Sequence, residues 1–136
     1  MSLKNERHGI LPLSIISKLS GKCEPLKIIV EDGVKIRANS KRYSVFKKSL
    51  TCCHCGLKAS YFAIERTIVE PIPEHYHLNP YGINGEGEEI LFTKDYIIPK
   101  SKGGKSKREN YQTSCAVCNK SNQIQSNMKK RHNEII

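Results

Sequence analysis

Apolar positions fall in short runs broken by turn residues. Residues 11–19 carry apolar positions that suit a short helix, interrupted early by Pro12. The runs Leu26-Lys27-Ile28-Ile29-Val30 and Val34-Lys35-Ile36 flank Glu31-Asp32-Gly33, so a hairpin is predicted there. Ser40 offers a capping hydroxyl, and Tyr43, Phe46 and Leu50 follow it at roughly helical spacing. Tyr61-Phe62-Ala63-Ile64 reads as a strand, after which Pro71 and Pro73 punctuate the chain. His75-Tyr76-His77-Leu78 and Glu89-Ile90-Leu91-Phe92-Thr93-Lys94 predict a second hairpin about the glycine-rich turn at 82–87. Tyr111-Gln112-Thr113-Ser114 returns as a strand. From Cys118 onward Gly and Pro are absent, and Val117, Ile124 and Met128 predict a final helix. Antiparallel hairpins set beside separate helices give an α+β class.

A chain of 136 residues holds one domain with a modest core. We divide it at residue 50, with 1–50 as a hairpin and helix extension packed on the same domain and 51–136 as its core. The longest apolar stretch, Ile10-Leu11-Pro12-Leu13-Ser14-Ile15-Ile16, is far shorter than the roughly 20 residues that span a bilayer. No membrane association and a cytoplasmic location are expected.

Charge sharpens this picture. Lys and Arg number 23 against 13 Asp and Glu, a formal +10 that favours a polyanionic partner. Lys100, Lys102, Lys105, Lys107 and Arg108 crowd around Gly103-Gly104, which predicts an exposed loop. Lys41, Arg42, Lys47 and Lys48 form a second basic cluster on the predicted helix, and Lys129, Lys130 and Arg131 a third.

Six cysteines are present, and four form C-x-x-C pairs, Cys52 with Cys55 and Cys115 with Cys118. Each such knuckle presents two sulfurs from one tight turn, so two distant pairs can share a tetrahedral zinc ion. Cys53 and His54 compete as ligands within the first knuckle. Four protein ligands leave no open position, making such a zinc structural and placing any chemistry elsewhere. Cys23 is expected to be a buried free thiol.

Between the second hairpin and the last helix stand Asp95-Tyr96-Ile97-Ile98-Pro99, Gly103-Gly104, Asn110-Tyr111-Gln112 and Cys115-Ala116-Val117-Cys118-Asn119. This order resembles the HNH nuclease motif of the ββα-metal (His-Me finger) superfamily: Asp-His-Ile-x-Pro, a Gly-Gly loop, Asn-x-Gln and Cys-x-x-Cys-Asn. The likeness covers residue 52 to about residue 125 and is similar to that of phage-borne HNH endonucleases. It implies a small zinc-stapled domain with a ββα-metal core that cleaves DNA phosphodiester bonds, in a bacterial or phage-infected cell. It further implies that Asp95 and Asn119 ligate one catalytic Mg²⁺ or Mn²⁺, and that Asn110 orients the catalytic imidazole. Hard cations take oxygen ligands, which agrees with a carboxylate and an amide. The loop from Lys100 to Arg108 and the pair Lys41 and Arg42 would meet the DNA backbone. Monomer and homodimer stay open.

Tyr96 departs from this pattern, because it stands where the family has its general-base histidine. A phenol with pKa near 10 is ionised in only about one molecule in a thousand at pH 7. General-base catalysis contributes roughly 10²- to 10⁴-fold. Three readings follow: an inactivating substitution, a DNA-binding protein that no longer cuts, or a base recruited from elsewhere. His77 is the candidate recruit, since its strand is expected to pair with the one leading to Asp95.

Overall fold

The computed structural model describes residues 4–68 and 75–121. Its strands are β1 (Lys4–Leu11), β2 (Ile28–Glu31), β3 (Val34–Arg37), β4 (Tyr61–Ile68), β5 (His77–Ile83), β6 (Glu89–Tyr96) and β7 (Tyr111–Cys115). They are joined by one α-helix, α1 (Lys41–Lys48), and by three short 3-10 turns, and residues 116–121 are again helical. This is a small α+β fold whose main sheet is antiparallel, in the order β1-β4-β5-β6-β7. Among the described residues no helix is long and apolar enough to cross a membrane.

Local chemistry explains several elements. Asp32 and Gly33 both take positive φ, 52° and 77°, giving the two-residue turn that matches strand twist between Glu31 and Val34. The Ser40 side chain accepts from the backbone N–H of Arg42 and starts α1. The helix expected over 11–19 forms as a 3-10 segment, Leu13–Lys18. There the Ile15 N–H bonds the Pro12 carbonyl and the Leu19 N–H bonds the Ile16 carbonyl, both three residues back. β1 has no alternating apolar pattern and joins the sheet edge through cross-strand charge. Arg7 meets Glu65, and Arg66 meets Glu6, in the register of the β1–β4 ladder.

The core lies between one face of the sheet and α1. Phe62, Ile64, Leu78 and Phe92 from the strands pack with Leu19, Ile36, Tyr43 and Phe46, all essentially without solvent contact. Tyr43 is the buried polar member. Its hydroxyl donates to the Arg37 carbonyl and accepts from the Leu78 N–H, while the Arg42 guanidinium takes the Leu78 carbonyl. Both backbone groups of Leu78 thus go to α1. Accordingly the β5–β6 ladder covers only the turn end of the hairpin, from Ile83↔Glu89 to Tyr81↔Leu91.

One expectation about the fold needs correction. Cys23 is exposed, because the buried Asn39 grips its backbone carbonyl and leaves the side chain outward. The last helix starts at 116, directly from the second cysteine knuckle, and carries Val117 as expected. Pro71, Pro73, Ile124, Met128, Lys129, Lys130 and Arg131 lie outside the described residues.

Candidate metal centre and active site

The first knuckle is a closed turn. Cys52 N–H bonds the Leu57 carbonyl at 2.8 Å, Gly56 N–H bonds the Cys52 carbonyl at 3.0 Å, and Gly56 holds φ +77°. It is docked on β7 by a bond from Cys53 N–H to the Thr113 carbonyl at 3.0 Å. Thr113, buried, sends its hydroxyl to the Ser49 carbonyl just beyond α1, so helix, knuckle and strand are tied at one point. The second knuckle runs from the end of β7 into the last helix.

These turns gather Cys52, Cys55, Cys115 and Cys118, whose sulfurs all lie within 4.8 Å of one another. Cys55 and Cys115 sulfurs are 3.9 Å apart. Four Zn–S bonds of about 2.3 Å place tetrahedral sulfurs about 3.8 Å apart, so the cluster fits a metal ion such as zinc. Backbone N–H groups of Cys115 and Cys118 point at the Cys52 and Cys115 sulfurs, at 3.3 and 3.4 Å. Burial pushes the Cys52 thiol up, but backbone N–H groups of Cys115, Cys55 and His54 outweigh it and bring it down to about 6. Burial raises Cys115 and Cys118; the neighbouring thiols raise Cys118 further, whereas at Cys115 the Cys118 groups pull down and Cys52 pushes up. One thiolate is therefore favoured and the next opposed, an imbalance that a bound cation removes. Cys53 and His54 stand outside this cluster.

Asp95, near the end of β6, gathers a second set of polar contacts. Its Oδ1 accepts from the Tyr96 N–H at 2.8 Å, and its Oδ2 lies 3.3 Å from His54 Nε2. Thr93, two residues earlier, shares that face of the strand. The Thr93 hydroxyl accepts from the Asn119 side-chain N–H at 3.0 Å, which brings Asn119 from the last helix to the same side. A carboxylate and a side-chain amide are oxygen donors of the kind a divalent cation takes. His54 was not among the catalytic residues expected from sequence. The only signal was an imidazole inside a C-x-x-C turn, and nothing in the sequence says that this turn abuts the end of β6.

Tyr96 projects to the other face. Its ring meets Tyr111 edge-on at 5.2 Å, its hydroxyl lies 3.2 Å from the Ser106 hydroxyl, and the Lys100 ammonium sits 5.6 Å from the ring centre. The Ser106 hydrogen bond, with Lys100 behind it, holds the phenol below its ordinary pKa. Asn110 works on the loop backbone. Its side chain accepts from the Ile98 N–H at 2.7 Å and donates to the Ile98 and Lys105 carbonyls, both at 2.9 Å.

His77 lies elsewhere. It lines a cavity of about 350 Å³ with Arg42, Glu65 and Asn79, beyond the point where β5 parts from β6. The structure thus brings His54, and not His77, to Asp95. Lys100, Lys102, Lys105, Lys107 and Arg108 are exposed around the Asn110-held loop. Arg108 also donates to the Gly21 carbonyl at 2.9 Å. Lys41 is exposed, whereas Arg42 is half-buried and donates to Asn79 Oδ1 as well as to Leu78.

A strand with Asp95 near its end, a basic loop, a return strand and a cysteine knuckle opening a helix follow one another along this segment. Residues 85–132 match the family model described as HNH endonuclease, which supports the HNH assignment for this segment and suggests a nuclease-type function. Neither a curated protein nor a solved structure matches the chain.

Proposed function

We propose that this chain is a zinc-stapled HNH nuclease that acts on DNA, with β6, β7 and the helix from 116 as its ββα-metal core. The observation that carries the reading is the convergence of Asp95 and Asn119 on one face of β6, beside the four-cysteine cluster and within the matched segment. Cys52, Cys55, Cys115 and Cys118 hold the structural ion. Asp95 and Asn119 hold a divalent ion, which when bound supplies Lewis-acid stabilisation of charge on the scissile phosphate.

The protein's own groups then divide the work. Asn110 fixes the loop that carries Lys100, Lys102, Lys105 and Lys107, and these ammonium groups attract the phosphate backbone. Tyr96 occupies the base position with a phenol that Ser106 and Lys100 shift towards ionisation. Even so shifted, a phenol is a poor acceptor near pH 7, so turnover is slow beside that of a histidine variant.

A second reading is a DNA-binding protein that does not cut. It is favoured by the engagement of Tyr96 with Ser106 and Tyr111 on the face opposite Asp95. Nicking of supercoiled plasmid in Mg²⁺ and in Mn²⁺ separates the two. The nuclease reading expects slow nicking by the natural chain and faster nicking by Tyr96→His, by about 10²-fold or more. If both proteins bind the plasmid and neither nicks it, the DNA-binding reading replaces it.

A further inference from the structure

We infer that His54 is a nitrogen ligand of the divalent-metal site at Asp95 and Asn119, and that it biases this site towards transition metals over magnesium. The inference rests on the proposal that Asp95 and Asn119 bind a metal.

His54 has no place in the cysteine cluster, where four sulfurs already complete a tetrahedron. Its Nε2 instead lies 3.3 Å from Asp95 Oδ2. Neighbouring ligands of an octahedral ion with bonds of about 2.1 Å are about 3 Å apart, so this separation suits two donors to one cation as well as a hydrogen bond. Asp95 Oδ1 is occupied by the Tyr96 N–H, which leaves Oδ2 as the oxygen turned towards the imidazole. Asn119 reaches the same face of β6 from the helix. Its amide nitrogen, the end that cannot ligate a cation, goes to Thr93.

The imidazole is also well anchored. It rides on a turn closed by the Cys52–Leu57 and Gly56–Cys52 bonds and docked on β7 through Cys53. The His54 side chain is one-third exposed and that of Asp95 17%, so an ion can enter from solvent while its ligands stay held.

Donor chemistry then sets the preference. Mg²⁺ favours an all-oxygen shell, whereas imidazole suits the later first-row ions and tolerates Mn²⁺. A site of one imidazole nitrogen, one carboxylate and one amide oxygen therefore holds Mn²⁺, Co²⁺ or Ni²⁺ more tightly than Mg²⁺. The two metal centres of the chain share one turn: Cys52 and Cys55 face one ion and His54, between them, faces the other.

The test uses the full chain with its cysteine site loaded with zinc. Mn²⁺ is titrated and the unbound ion followed by electron paramagnetic resonance, with Mg²⁺ as competitor, and nitrogen modulation on bound Mn²⁺ is read by spin-echo spectroscopy. Expected are one Mn²⁺ bound in preference to Mg²⁺ and imidazole modulation. His54→Ala should lose that modulation and about tenfold in Mn²⁺ affinity, with zinc content and melting retained, while His77→Ala keeps both signals. His54→Asp, which supplies oxygen in place of nitrogen, should shift preference towards Mg²⁺ and covers the case in which the alanine variant fails to fold. Unchanged Mn²⁺ affinity and modulation in His54→Ala, with binding abolished in Asp95→Ala, overturns the role of His54 and leaves the Asp95 site standing. No Mn²⁺ bound by the natural chain overturns both.

Discussion

Asn110 clasps Ile98 from both sides, accepting from its N–H at 2.7 Å and donating to its carbonyl at 2.9 Å. A third bond reaches the Lys105 carbonyl, so one amide pins the start and the middle of the basic loop. Asn110→Ala removes all three, and the partial exposure of the site lets water replace some of them. We expect a loss of about 1–2 kcal/mol, felt mainly as faster amide exchange over residues 97–105. Unchanged exchange there would show that the loop is held by other means. Asn110→Asp keeps the acceptor for the Ile98 N–H but turns a carboxylate oxygen towards two carbonyl oxygens, and should loosen the loop at least as much as alanine does.

Gly104 is the second fastener of the same loop. A Cβ on this residue would stand 1.7 Å from the Ile98 carbonyl oxygen, which is backbone and cannot turn aside. Gly104→Ala must therefore open the loop. Because the loop is exposed and remote from the core, the expected result is weaker DNA binding with a melting temperature within a few degrees of the natural chain. A crystal structure of the variant with residues 97–104 unmoved would contradict this.

The cysteine cluster is expected to hold about one zinc per chain by elemental analysis. Cys115→Ser removes a buried ligand that also receives the Cys118 N–H. Structural zinc binding is worth on the order of 10 kcal/mol in small metal-bound domains, comparable to a domain's whole stability. The variant should therefore lose both the ion and cooperative melting. Strong chelation of the natural chain should do the same, and a sharp melt with no metal would remove the structural role.

Alkaline stability follows from Tyr43. Burial raises its phenol above the ordinary value near 10, so the folded chain keeps a proton that the unfolded chain releases. This stabilisation is present in full below the unfolded pKa and is lost as pH rises through the raised one. Melting temperature should hold up to about pH 10 and then fall. Tyr43→Phe should be less stable at neutral pH, by about 1–3 kcal/mol, because the Leu78 N–H and Arg37 carbonyl lose a buried partner. Its decline above pH 10 should be shallower, and parallel curves for the two proteins would rule out this origin.

Local chemistry was legible where one segment carries it. The Asp32-Gly33 turn, the Ser40 cap and the four paired cysteines each depend on residues close in sequence, and the structure forms all three. Long-range placement was not. β1 enters the sheet by matching Arg7 to Glu65 and Glu6 to Arg66, a complementarity visible only once the register is known. The same holds at the site. His77 looked close to Asp95 on the assumption of a full β5–β6 ladder, but α1 takes both backbone groups of Leu78 and that ladder stops at Tyr81. His54 reaches Asp95 because Cys53 docks the knuckle on β7, a contact that spans 60 residues and leaves no local trace.

The basic loop gives the last prediction, because its cations do not all have the same work. Lys100, Lys102, Lys105 and Lys107 are exposed, and each phosphate they neutralise releases counterions. Replacing all four by alanine should flatten the dependence of log affinity on log salt by about 3.6, since each duplex phosphate contact adds about 0.9. Arg108 is partly committed to the Gly21 carbonyl, so Arg108→Ala should change that slope less than any one lysine. Arg42 lies at the other extreme. Its guanidinium bonds Leu78 and Asn79 within the fold, and Arg42→Ala should lower stability while leaving the salt slope as it was. Fluorescence anisotropy on a labelled duplex across a salt series measures all three. A slope unchanged by the lysine quadruple variant would move the DNA contact away from the loop that joins Asp95 to Asn119, and with it the case for cleavage at that site.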